Sequence, residues 1–173
     1  LKPSNILLLD SGFVKIMDFG LAKCLDGMGS LTGTGNVLGT PAYMSPEQCQ
    51  TNLIDARSDI YCLGLVALFM LTGRQPVQAD NTYEAMHHHI AETPKRPSEV
   101  RPDLYFSPVL EDIFLRCLKK DPADRFQNCF DLKTALQAAH VLKIETPANR
   151  RLPLLSTLNN QGTAAKVSCA VLL

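Results

Sequence analysis

The feature that most constrains the fold is an apolar run of twelve residues, Ile60 to Leu71, broken only by Gly64. A bilayer crossing needs about 20 apolar residues. The run is too short for that and fits a helix buried in a globular core. Ser58 is placed to cap such a helix over about Asp59 to Leu71, and Gly73 and Pro76 supply stop signals behind it.

At 173 residues, with 46% hydrophobic and 20% charged residues, the chain has the make-up of one globular domain with a core and a tail. Lys plus Arg and Asp plus Glu both total 17, so charge gives no reason to expect nucleic acid or an acidic membrane as partner. Cys24, Cys49, Cys62, Cys117, Cys129 and Cys169 form no CxxC pair and show no zinc-ligand spacing. Buried, reduced thiols in a cytoplasmic setting are expected. No signal peptide opens the sequence. The apolar end from Ala164 to Leu173 is interrupted by Lys166 and Ser168, and Cys169 sits one place too early for a prenylation box. A disordered tail is expected there, with membrane attachment only if that tail continues into a span.

Local patterns supply the other elements. Ile6–Leu9 and Val14–Met17 are short β-leaning runs around the turn residues Asp10-Ser11-Gly12, which predicts a small hairpin. Between Gly20 and Pro41 stand Gly27, Gly29, Gly33, Gly35 and Gly39, a composition that predicts a mobile loop. Tyr83, Met86 and Ile90 mark one amphipathic helix. A second begins at Ser107-Pro108 and places Val109, Leu110, Ile113, Phe114, Cys117 and Leu118 on one face. Leu132, Ala135, Leu136, Ala139 and Leu142 mark the last. The three consecutive residues His87, His88 and His89 fan around a helix and cannot converge on a metal, so they read as a solvated face. The sum is a mainly α domain over residues 1–142, with a β-hairpin at its start, and a linker or tail over 143–173.

The chemistry resides in three segments: Leu1-Lys2-Pro3-Ser4-Asn5, Asp18-Phe19-Gly20, and Gly39-Thr40-Pro41 running through Ser45-Pro46-Glu47. Phosphoryl transfer needs positive charge on the phosphates, oxygen ligands for magnesium and a base that orients the attacking hydroxyl. Asn and Asp carry oxygens that suit magnesium. The order and spacing of these segments resemble the C-terminal lobe of eukaryotic-like (Hanks-type) serine/threonine protein kinases, over about residues 1 to 140. Gln48 and the segment from Arg101 to Phe126 are most similar to the bacterial-type members.

The resemblance implies ATP and Mg2+ as cofactors and protein substrates as partners. It places Lys2 on the transferred phosphate, Asn5 and Asp18 on the metal ions, and Thr40 against the catalytic loop, where it favours Ser/Thr substrates. Ser45 stands where the family has Ala. Glu47 is implied to pair with Arg125 in a buried ion pair, and Asp59, five residues before Gly64, to brace the backbone of the catalytic loop. Ser30, Thr32 and Thr34 are candidate phosphorylation sites in the glycine-rich loop.

The same resemblance places the catalytic Asp immediately ahead of Leu1, and the Gly-rich loop and phosphate-binding Lys further upstream in an N-terminal lobe. The chain alone is therefore expected to transfer phosphate poorly or not at all, with that lobe as its missing partner. The alternative is a non-catalytic docking or regulatory module derived from a kinase.

Overall fold

The computed structural model describes residues 1–17, 41–50 and 53–141. Asp18, Ser30, Thr32, Thr34 and Thr40, the glycine-rich segment around them and the tail from residue 142 lie outside the described residues.

The chain opens with a 3-10 turn at Pro3–Asn5 and the hairpin β1 (Ile6–Leu8) and β2 (Val14–Ile16). These pair antiparallel with Ile6 opposite Ile16 and Leu8 opposite Val14. Gly12 takes the left-handed conformation, φ 83°, that its turn requires. A second 3-10 turn follows at Pro41–Tyr43, then the short helix α1 (Pro46–Cys49). Four more helices complete the core: α2 (Ala56–Thr72), α3 (Thr82–Ala91), α4 (Pro97–Val100) and α5 (Pro108–Cys117). A 3-10 turn at Pro122–Asp124 leads into α6 (Cys129–Val141).

Helix α2 is the axis of the domain. One cluster, Tyr43, Tyr61, Leu65, Val66, Leu68 and Leu118, packs on one side of it. A second, Ile60, Ile113, Cys117, Phe126, Leu132 and Ala139, packs on the other. A helix buried on opposite sides must be apolar nearly all round, which is why the Ile60–Leu71 run shows no polar stripe. Gly64 has a specific reason. A Cβ built there would lie 2.9 Å from the Cys117 Cβ and 3.0 Å from a Leu118 methyl, so only glycine lets α2 approach the end of α5 this closely.

Several boundaries differ from expectation. Helix α2 begins three residues earlier than Asp59, because the Asp55 carboxylate accepts from the Arg57 N–H at 2.8 Å and serves as N-cap. Ser58 lies inside the helix, buried, and its hydroxyl serves Glu47 instead. At the other end Gly73 closes the helix in the left-handed conformation, φ 67°, with its N–H on the Phe69 carbonyl.

On α3 the inward stripe is Ala85 and His89, with Met86 and Ile90 half-buried, while Tyr83 is 78% exposed. The solvated-face reading of the histidine run therefore fails at His89, which is 1% exposed. On α5, Ile113, Phe114 and Cys117 are buried with Leu118 just beyond, but Val109 is exposed. Cys49, Cys62 and Cys117 are buried free thiols, whereas Cys129 is exposed, contrary to expectation. Among the described residues no helix is long and apolar enough to cross a membrane.

Candidate active-site edge and its buried anchor

The hairpin brings the end of the first chemical segment beside Met17. The Met17 N–H donates to the Asn5 carbonyl at 2.8 Å, extending the β1–β2 ladder by one step, so the residue before Asp18 lies beside Asn5. Asn5 is held in turn by its own N–H on the Lys2 carbonyl at 3.0 Å. Pro3 at the first position of this turn has no N–H to lose and a φ already suited to it. The Asn5 side chain meets only the Ser4 hydroxyl, at 3.5 Å, among the described residues. The Lys2 side chain has no ion-pair partner among them.

Asp59 sits in the first turn of α2 with its side chain 74% exposed, and its carboxylate reaches the Leu1 nitrogen at 3.8 Å. That exposed approach makes no hydrogen bond and contributes little stability.

The best-built polar cluster lies deeper, where Glu47 of α1 meets Arg125. Arg125 is wholly buried and Glu47 is 6% exposed. The two Nη atoms donate to the two carboxylate oxygens at 2.7 and 2.9 Å, a fork-to-fork pair. The remaining guanidinium donors are used as well. Nε donates to the Lys119 carbonyl at 2.7 Å, Nη1 to the Arg57 carbonyl at 3.0 Å, and Nη2 to the Lys120 carbonyl at 3.0 Å. Arg125 thereby ties α1, the start of α2 and the segment after α5 into one unit. Its Cζ also lies 4.9 Å from the centre of the Tyr61 ring.

Glu47 takes a third bond, from the Ser58 hydroxyl at 2.6 Å. Burial by itself would raise its pKa, but the hydrogen bonds from Arg125 and Ser58 outweigh burial and hold it down at about 2. The Glu47 carboxylate is ionised throughout the physiological range.

Helix α1 is positioned by Ser45, which is fully buried. Its hydroxyl accepts from the Gln48 N–H at 3.3 Å while the Gln48 side-chain oxygen accepts from the Ser45 N–H at 2.8 Å. This capping box accounts physically for serine at 45, since alanine has no oxygen to offer the helix start.

The profile of the protein kinase domain family matches residues 1–140 of this chain. The chain belongs to the protein kinase family. Its relatives are bacterial serine/threonine kinases. It is 41% identical over 145 residues to the serine/threonine-protein kinase pkn3 of Myxococcus xanthus, covering 80% of this chain and 26% of that one. It is 36% identical over 171 residues to the serine/threonine-protein kinase PknB of Mycolicibacterium smegmatis, covering 95% of this chain and 27% of the relative. The chain thus spans about a quarter of the length of these relatives. The mainly helical core with one small hairpin is a kinase-like C-terminal lobe.

Within this kinase lobe, sequence reasoning named Glu47 and Arg125 and missed three side chains that work with them. Ser58 reads locally as a cap, yet it reaches Glu47 across 11 positions. His89 bonds to the Pro41 carbonyl at 2.9 Å and to the Tyr61 hydroxyl at 3.3 Å. Lys120 donates to the carbonyls of His88 and His89 at 3.2 and 2.6 Å, closing the C-terminus of α3. None carries a local signal, because each partner lies far away in sequence.

Burial pushes the Cys49 and Cys62 thiols up to about 11 and Cys117 to about 12, so these sulfurs are packing groups without thiolate chemistry at neutral pH. Among the described residues no three His, Cys, Asp or Glu side chains gather into a metal site.

Proposed function

We propose that this chain is the C-terminal-lobe part of an ATP-dependent serine/threonine protein kinase. The observation that supports the reading is the bond from the Met17 N–H to the Asn5 carbonyl, which puts Asn5 at the open end of the hairpin beside the residue that precedes Asp18 in sequence. The donor set fits a magnesium-bound nucleotide: a carboxamide oxygen at Asn5 without a strong protein partner among the described residues, an ammonium at Lys2, and the carboxylate of Asp18 next to Met17. Bound Mg·ATP supplies the transferable phosphoryl group and the countercharge that transfer requires.

In this reading Asn5 and Asp18 hold the metal and Lys2 neutralises charge on the transferred phosphate. Thr40, just ahead of the Pro41–Tyr43 turn in sequence, contacts the catalytic loop and favours Ser/Thr substrates. Asp59 braces the catalytic loop from the start of α2. Glu47 and Arg125 take no part in transfer; they keep the substrate-side helices together. Ser30, Thr32 and Thr34 remain candidate phosphorylation sites, and protein substrates are the partners. The chain spans about a quarter of the length of its kinase relatives, so in this reading the isolated chain transfers phosphate poorly and needs an N-terminal lobe.

The test is radiometric transfer to a Ser/Thr peptide by the full gene product and by this chain alone. The expected result is turnover in the kinase range of about 1–100 s⁻¹ for the former. The latter should show next to none, and Asn5→Ala or Asp18→Ala should abolish the former's activity. Full turnover by the chain alone would overturn the division of labour. Peptide binding without transfer by the full product would favour the docking module.

A further inference from the structure

His89 is a buried imidazole at the centre of a junction that the kinase reading does not use. It lies on α3 and is 1% exposed. Its Nε2 is 2.9 Å from the carbonyl oxygen of Pro41, and its Nδ1 is 3.3 Å from the hydroxyl of Tyr61 on α2. The two rings meet edge to face, 5.9 Å apart at 71°. A carbonyl can only accept, so Nε2 carries the proton and Nδ1 accepts from Tyr61. Both ring nitrogens are satisfied in one tautomer.

The far end of the first bond matters most. The Pro41 carbonyl also accepts from the Met44 N–H at 3.1 Å, the bond that closes the Pro41–Tyr43 turn. The same turn is held at its other end, where the Cys62 thiol donates to the Tyr43 carbonyl at 3.1 Å and the Tyr43 hydroxyl to Gln75 at 3.2 Å. His89 is the only α3 side chain with a hydrogen bond to this turn among the described residues. Lys120 fixes the backbone behind it by donating to the His89 carbonyl at 2.6 Å.

We propose that His89 is a positioning residue for the substrate: its Nε2–H bond to Pro41 locks α3 to the turn directly after Thr40 and so sets how well a Ser/Thr peptide docks. This rests on the kinase reading above, which puts that turn on the substrate side. The arrangement is built to hold constant, because burial first, with Lys120 and His88 nearby, keeps the imidazole neutral with its pKa down at about 4. Nδ1 therefore stays an acceptor for Tyr61 throughout the range in which a cell operates, and the Nε2–H toward Pro41 is present in either protonation state.

The experiment compares His89→Gln with His89→Asn in the full gene product. The glutamine amide nitrogen reaches the position of Nε2 and keeps a donor for Pro41. The asparagine amide is one carbon short and does not reach. The peptide KM should rise about tenfold in the Asn variant, the scale of one lost buried hydrogen bond, with the ATP KM unchanged and the Gln variant near the parent. A second readout needs no activity: amide exchange at Met44 should be faster in the Asn variant than in the Gln variant.

Equal peptide KM values for the two variants, or ATP and peptide KM rising together, would overturn the proposal. So would failure of both variants to fold, which makes His89 a core residue and nothing more. A parent inactive on every peptide refutes the kinase reading instead, and the exchange arm then decides whether His89 orders the turn.

Discussion

Replacing Arg125 with alanine is the sharpest test of what holds this lobe together. The side chain is wholly buried, and its five N–H groups meet five acceptors: two oxygens of Glu47 and the carbonyls of Lys119, Arg57 and Lys120. Alanine leaves the Glu47 carboxylate, 6% exposed, with only the Ser58 hydroxyl as a side-chain partner. Breaking a buried pair from one side costs about 3–5 kcal/mol, because a lone charge stays buried. Native stability is only about 5–15 kcal/mol, so this is a large share of it. For a chain of this size the loss corresponds to a fall in Tm of about 6–20 °C.

Arg125→Lys should fall in between, since an ammonium has three donors on one atom and cannot span both carboxylate oxygens and three carbonyls. Glu47→Ala/Arg125→Ala should be less damaging than the sum of the single changes, because the double variant buries no unpaired ion. Thermal and denaturant unfolding of the parent, the two single alanine variants, Arg125→Lys and the double variant measures all of this. An Arg125→Ala variant melting within about 2 °C of the parent, or single effects that simply add, would refute the reasoning.

Two further predictions follow from the core. Gly64→Ala should destabilise by about 1–3 kcal/mol through overpacking against Cys117 and Leu118, and denaturant midpoints showing no loss would contradict the close helix contact. Stability should also fall in two acid steps. The His89 pKa is lowered to about 4, so its contribution is whole above about pH 6.5 and is lost between 6.5 and 4, as the unfolded chain takes the proton first. The Glu47 pKa is lowered to about 2 from 4.5, so its contribution persists above 4.5 and is lost as pH falls through 2. Urea midpoints measured against pH should lose the upper step in His89→Gln and keep the lower one; an unchanged upper step in that variant would exclude His89 as its source.

Much of this protein is legible in its residues. The hairpin follows from two β-leaning runs around Asp10-Ser11-Gly12, the central helix from an apolar run of twelve positions broken only by Gly64, and the α2 stop from Gly73, because each depends on near neighbours and backbone preference alone. The Lys2, Asn5, Asp18 and Glu47 spacing carries the kinase resemblance for the same reason, since chain order is what a motif records. Tertiary structure decided the rest. Ser58 looks like a cap and becomes a donor to Glu47, because Asp55 takes the cap first.

His89 looks like one of three solvated histidines and becomes the tie between α3 and the Pro41 turn, because the face of α3 that packs inward is set by what lies beneath it. Arg125 is recognisable as half of a pair, but the Arg57 carbonyl that joins those of Lys119 and Lys120 in completing its coordination lies 68 positions away, at the start of α2. Local signals determine which elements form and where they stop. Which polar groups they enclose depends on desolvation and on partners distant in sequence, and those exist only in the folded chain.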